Sequence, residues 1–135
     1  MKLTNFAMET MINLLEPFLD DSELLGYAAA RNIRKLQDGC KEYINKKVEI
    51  VKKYGEKELD ADGNETGGFV VKETAEGFKQ AAEELDKFGN IEHEVELFKI
   101  PISEAMGKMT GRQILELGFM FEDDHAQNNN TLLTS

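Results

Sequence analysis

Apolar residues recur at spacings of three and four near the start of the chain: Met8, Met11, Ile12, Leu15, then Phe18 or Leu19. That is the period of one helix face, and it predicts a helix over residues 4–19. Thr4 or Asn5 can cap it by accepting free backbone N–H bonds. Pro17 lacks a donor and clashes with the preceding turn, so the helix ends or kinks near Glu16. Asp20-Asp21-Ser22 supplies a new cap. The helical period resumes through Leu24, Tyr27, Ala28, Ile33, Leu36, Cys40, Tyr43, Ile44, Val48, Val51 and Tyr54. It predicts one helix from about Glu23 to Tyr54, roughly 48 Å long at ~1.5 Å per residue. Ile33, Leu36, Cys40 and Tyr43 are spaced like a coiled-coil seam; Lys47 breaks the seam, and the stripe drifts to Ile44, Val48 and Val51. Gly39 is a weak point inside this helix, and Gly55 is its natural stop.

Residues 56–68 read as a polar loop, with turn signals at Asp62-Gly63 and Gly67-Gly68. Phe69-Val70-Val71 is a short strand candidate. Thr74 is placed to cap a helix reaching Phe88, with Phe78, Ala81, Ala82, Leu85 and Phe88 on one face. From 91 to 100 the pattern switches to alternation: Ile91, His93, Val95 and Leu97 against Glu92, Glu94 and Glu96. That is a strand with one apolar face, and Phe98 and Ile100 reverse its phase. Thr110-Gly111-Arg112-Gln113 fits a capping box and opens a last short helix through Phe121. These elements predict an α+β fold, mostly helical, with one long helix and shorter helices packed on a small antiparallel sheet. One compact domain spans 1–122, and a polar, mobile tail spans 123–135.

Length and composition narrow the picture. The chain has 135 residues, of which 26 are acidic and 16 basic, for a net charge of −10. It contains no apolar run near the ~20 residues that cross a bilayer and no signal-peptide layout at its start, so a cytoplasmic setting without membrane contact is expected. A single cysteine, Cys40, excludes an internal disulfide and a multi-cysteine metal cluster. The charge is uneven: residues 31–53 hold eight basic and three acidic side chains, so that segment is +5 and the remainder −15. An acidic surface repels phosphates, which disfavours direct nucleic-acid binding. A basic helix face carrying Arg31, Arg34, Lys35, Lys46 and Lys47 nevertheless stands out; a solvated face is its ordinary explanation.

Candidate chemistry is sparse. Glu58 to Asn64 looks at first like a calcium loop, but alignment on Gly63 puts Phe69 where the bidentate glutamate belongs. Asp60 and Asp62 then read as an acidic hairpin tip. His93 and His125 are 32 residues apart, not one helical turn, so metal ligation is not expected. Cys40 has basic neighbours that could lower its pKa, but a buried, apolar role is the default. No lysine and Ser/Thr pair follows the glycines of 63–68, so they form no phosphate loop. No catalytic residue, metal or cofactor is predicted. Glu92, Glu94 and Glu96 would stand about 6.6–6.8 Å apart on one strand face, which could imitate a phosphate backbone. An ordinary charged strand edge is the simpler reading.

The basic opening Arg31-Asn32-Ile33-Arg34-Lys35-Leu36 and the helix end Lys52-Lys53-Tyr54-Gly55-Glu56-Lys57 carry a resemblance. So do the turn Asp60-Ala61-Asp62-Gly63-Asn64 and the close Ile114-Leu115-Glu116-Leu117-Gly118-Phe119-Met120-Phe121-Glu122-Asp123. In this order they resemble a family of small proteins from tailed phages and prophages of Gram-positive bacteria, a domain of unknown function. The resemblance covers nearly all of residues 1–123 through structural motifs, and the tail departs from it. It implies phage origin, expression in the bacterial host's cytoplasm and a non-enzymatic accessory role, and it brings no active site. The expectation is therefore a protein acting through contact with a phage or host protein, in virion assembly or in interference with a host system. Ile33, Leu36, Ile44, Val48 and Val51 are its candidate contact residues, and a homo-oligomer is an alternative use of the same stripe. The competing expectation is an acidic nucleic-acid mimic of the anti-CRISPR type, using Glu92, Glu94, Glu96, Asp60 and Asp62.

Overall fold

The Thr4 hydroxyl accepts the Ala7 N–H at 3.0 Å, and helix α1 (Asn5–Leu15) begins beside it. The computed structural model describes residues 1–122; the tail expected at 123–135 lies outside them. Before α1, residues Lys2–Thr4 form a strand, β1, too short to announce itself in the sequence. After α1 a single 3-10 turn, Glu16–Phe18, takes up Pro17 at its start, where a missing N–H breaks no helical bond.

The long helix of the sequence reading is two helices. α2 runs Leu24–Gly39 and α3 runs Lys41–Tyr54. At Cys40 the backbone leaves helical geometry (φ −110°, ψ 16°). Yet Cys40 N–H still donates to Leu36 C=O at 3.0 Å, and Ile44 N–H to Cys40 C=O at 2.9 Å. α3 therefore continues α2 end to end across a local fault. Gly39 sits at that fault; a Cβ there would stand 3.0 Å from Met8 Sδ. α2 starts one residue later than expected. The Asp21 carboxylate caps it, with Oδ1 accepting the N–H groups of Glu23 at 2.9 Å and Gly26 at 3.0 Å. Its other oxygen holds Lys108 at 2.9 Å, which ties the start of α2 to the C-terminal segment.

The polar loop of 56–68 is largely a hairpin. β2 (Glu56–Leu59) and β3 (Glu65–Val70) pair antiparallel, with Glu56 opposite Val70 and Leu59 opposite Glu65. Asp60 Oδ1 accepts the N–H groups of Asp62 and Asn64, both at 2.9 Å, and Gly63 takes φ +83°. This side-chain turn is what aspartate and glycine do at hairpin tips. α4 (Phe78–Gly89) begins beyond Thr74, so Thr74 is not its cap. The strand expected over 91–100 shrinks to β4 (Glu92–Glu94), which pairs antiparallel with β1: Lys2 with Glu94, Leu3 with His93, Thr4 with Glu92. α5 (Gly111–Glu116) opens on the predicted capping box, with both Thr110 and Gln113 side-chain bonds formed.

The fold is α+β and mostly helical, and the described residues form two small antiparallel sheets instead of one. Leu3, Met8, Leu15, Leu25, Ala29, Leu36, Cys40, Tyr43, Ile100, Leu117 and Met120 lie among the residues of one core. Two buried asparagines lace it. Asn32, fully buried, donates to Phe98 C=O at 2.9 Å and accepts Phe98 N–H at 2.7 Å. It thereby supplies, from a helix, a pairing for Phe98 that no strand provides. Asn5 donates to Phe88 C=O at 2.8 Å.

Candidate functional site

The contact stripe divides at the fault. Ile33 and Leu36 point into the protein's own core, 8% and 0% exposed, so they are not contact residues. The cause is the packing of α2 on α1, which turns that face inward. α3 instead packs on α4 and buries Tyr43 and Ile50, a neighbouring face. Ile44 and Val51 are left half-buried and Val48 48% exposed. Beside Ile44 a groove of about 350 Å³ is lined by Glu9, Ile12, Asn13, Gln37, Lys41 and Asn45.

The basic side chains divide in the same way. Lys46 pairs with Glu49 at 3.3 Å and lies over the Phe88 ring; Lys47 pairs with Glu9 at 2.8 Å. Lys53 pairs with Glu84 at 3.2 Å, and the Tyr54 hydroxyl donates to the same carboxylate at 3.0 Å. Tyr54 and then Glu84 hold the Lys53 ammonium above its ordinary range, and Lys53 and then Tyr54 hold the Glu84 carboxyl below its own. These lysines stitch α3 to its neighbours. By contrast, Arg31, Arg34, Lys35, Lys41 and Lys52 form no ion pair with a carboxylate of the described residues.

Three of those five cations stand on the outer face of α2. Arg31 Nη1 reaches the Tyr27 hydroxyl at 3.0 Å and its guanidinium lies 5.3 Å from the Phe98 ring centre. Tyr27 meets Phe98 edge to face at 5.5 Å and stays 54% exposed. Lys35 donates to the Glu96 carbonyl at 2.8 Å. With Ala30, Arg34 and Asp38 these residues line an open groove of about 420 Å³. The sequence pattern puts Tyr27 on the helix's apolar stripe and Phe98 at a strand end; the structure instead brings both to this exposed basic face. A signal for Tyr27 was available, because Tyr27 and Arg31 lie one turn apart, where helix side chains meet.

The other sequence candidates are placed as follows. Glu92 and Glu94 lie on β4, and Glu96 lies past its end; all three are exposed. Glu94 Oε1 is 3.1 Å from the Met1 amino group, so its charge is partly neutralised. Asp60 and Asp62 sit at the exposed hairpin tip, in a different sheet from Glu92 and Glu94. His93 Nε2 lies 3.0 Å from Asn5 Oδ1 in a half-buried position, and His125 lies outside the described residues. Cys40 is buried; desolvation first, then the Glu9 charge, push its thiol pKa up, against the lowering its basic neighbours suggested. Tyr43 shares that environment and is pushed up to about 12, mainly by desolvation. Its buried hydroxyl makes no well-formed hydrogen bond, though Glu9 is near enough to act on it electrostatically. Among the described residues no group of three or more His, Cys, Asp and Glu is arranged to hold a metal ion, and no helix is long and apolar enough to cross a membrane. No family model, curated protein or solved structure matches the chain.

Proposed function

We propose that this is a non-enzymatic, phage-type accessory protein that works by protein–protein contact in the bacterial cytoplasm, either in virion assembly or against a host system. Its phage origin rests on the sequence resemblance alone. The observation that carries the contact reading is the outer face of α3. Val48 is half exposed between half-buried Ile44 and Val51, and that stripe opens onto the groove beside Ile12. Lys41 and Lys52 stand near it without carboxylate partners among the described residues. An apolar strip with basic flanks suits a partner whose docking segment is apolar at its centre and acidic at its margins.

The competing reading, mimicry of a nucleic acid, is weakened by the partial neutralisation of Glu94 and by the split of its carboxylates between two sheets instead of one continuous row. A tagged protein expressed during infection separates the two. Val48→Asp should abolish recovery of the partner that the wild type retains, while Glu92→Gln, Glu94→Gln and Glu96→Gln together should leave it intact. The reverse result, with both variants folded by circular dichroism, would establish mimicry and remove the α3 surface.

A further inference from the structure

The hairpin and the α2 groove pose matching questions. Between Glu56 and Glu65 the chain carries five carboxylates and one lysine; Glu56 pairs with Lys72 at 2.9 Å and Glu65 with Lys57 at 3.4 Å, so the arm's acidity rests on Glu58, Asp60 and Asp62. β2 is exposed along its whole length, and Leu59, an apolar side chain between Glu58 and Asp60, is 58% exposed. The tip is nonetheless shaped, because Asp60 closes the turn and the Thr66 hydroxyl donates to Glu58 Oε1 at 2.9 Å. The arm is also fixed at its base. A Cβ on Gly55 would meet backbone oxygens of Val51 and Val70 at 2.5 Å, and Lys52 lies 5.7 Å from the Phe69 ring centre. The groove has the complementary features: an apolar floor at Tyr27 and Ala30, with Arg31, Arg34 and Lys35 around it and one carboxylate, Asp38.

From this two-sided match we infer that the α2 groove receives the acidic hairpin of a second copy of this chain, with Leu59 against Tyr27 and Ala30 and its flanking carboxylates against Arg31 and Arg34. The inference deepens the reading that the protein works by contact, and it uses a different surface from α3. The arm cannot serve its own groove. Tyr27 lies near the start of α2 and the hairpin leaves the far end of α3, and the helices follow one another end to end. At ~1.5 Å per residue along the joined helices, Tyr27 stands about 40 Å and Arg34 about 30 Å from the end of α3. Two different patches meeting head to tail make a heterologous contact, which propagates into a ring or a strand instead of stopping at a symmetric dimer. Each molecule carries net negative charge, but salt screens charges beyond about 8 Å at physiological strength, so the local match decides the contact.

Sedimentation velocity across micromolar to sub-millimolar concentrations tests this with three proteins. The wild type should sediment faster as concentration rises, passing beyond a dimer. A groove variant, Arg31→Gln with Arg34→Gln, and an arm variant, Glu58→Gln with Leu59→Ser and Asp62→Asn, should each stay monomeric. Both sets of changes lie at exposed positions, and circular dichroism checks their folding. Mixed in equal amounts, the two variants retain one working arm and one working groove between them. The mixture should therefore form a one-to-one dimer and nothing larger. A wild type that remains monomeric throughout would overturn the inference. So would association that survives either variant, or a mixture without the dimer. A monomeric wild type whose groove instead binds single-stranded oligothymidylate through Arg31 and Arg34 would also overturn it, in favour of a polyanion site. Val48→Asp serves as the independent control: it should leave self-association unchanged, and loss of partner recovery with that variant reports on α3 alone.

Discussion

Asn32 carries hydrogen bonds that a wider sheet would otherwise supply. Its side chain satisfies both backbone groups of Phe98 from within the core. Removing it leaves the N–H and C=O of half-buried Phe98 without this partner, and groups withdrawn from water cost part of their desolvation when unpaired. Asn32→Ala should destabilise the protein by about 2–3 kcal/mol, read as a lower urea midpoint with an unchanged slope. The position was legible: Leu25, Ala29, Asn32 and Leu36 follow a helical spacing of four, three and four, so a polar residue stood on an inward face. Which backbone it would meet was not legible, because Phe98 is 66 residues away. Tyr43 gives a pH-dependent counterpart. Its folded-state pKa of about 12 lies above the ordinary value of 10.0, so the unfolded chain ionises first. Tyr43 therefore contributes its full stability below pH ~10, and this is lost as pH rises toward the folded value. Tyr43→Phe should remove that part of the alkaline loss. Urea midpoints at pH 8 and pH 11 should differ less in the variant than in the native protein; an equal difference would discount burial of the hydroxyl.

At the scale of elements, the apolar stripe gave the helices but not their division. The period runs through Gly39 and Cys40 without a gap, and both flanking turns keep their hydrogen bonds. What changes at the fault is the neighbour: α1 covers α2, and α4 covers α3. Tertiary packing thus decides which part of one sequence stripe is core, and no local pattern contains that information. Substituting a charge reads the division directly. Leu36→Asp places an unpaired carboxylate in a fully buried site and should abolish the cooperative thermal transition. Val48→Asp, at a half-exposed site, should shift it by no more than a few degrees. Equal damage at both would mean that α3 turns Val48 inward. The turn at Asp60–Gly63 was legible as a hairpin tip and Phe69-Val70 as strand, but the strands β1 and β2 were missed for a related reason. β1 is three residues long, and β2 is exposed on both faces, so neither carries the alternation that announces a half-buried strand. The capping box at Thr110 was legible, and Thr4 was one of two caps the sequence allowed, because caps depend on neighbours three residues away.

Across the whole molecule, the core and the candidate contact surfaces occupy different stretches of chain. The residues of the main core, together with the apolar side chains packed against it, come from positions 3–44 and 85–121. The second half of α3, the hairpin and the start of α4 form a lobe outside it, held by Ile50 and Ala81, by the Lys53–Glu84 pair and by the seat of Phe69 under Lys52. A region with few buried apolar contacts opens at a lower free energy than the whole. Native-state hydrogen exchange should therefore rank the amides in a definite order. Those of α2 around Ile33 and Leu36 should exchange only through global unfolding and slow in proportion to total stability. Those of β2 and β3 should exchange through a local opening that mild denaturant barely changes, since little surface is exposed by it. The Asn32→Ala variant sharpens the measurement, because it lowers global stability without touching the hairpin. It should accelerate exchange in α2 and leave β2 and β3 at their native rates. If the hairpin accelerates in step with α2, the two regions form one cooperative unit, and substitutions on the arm could not be read as surface changes alone.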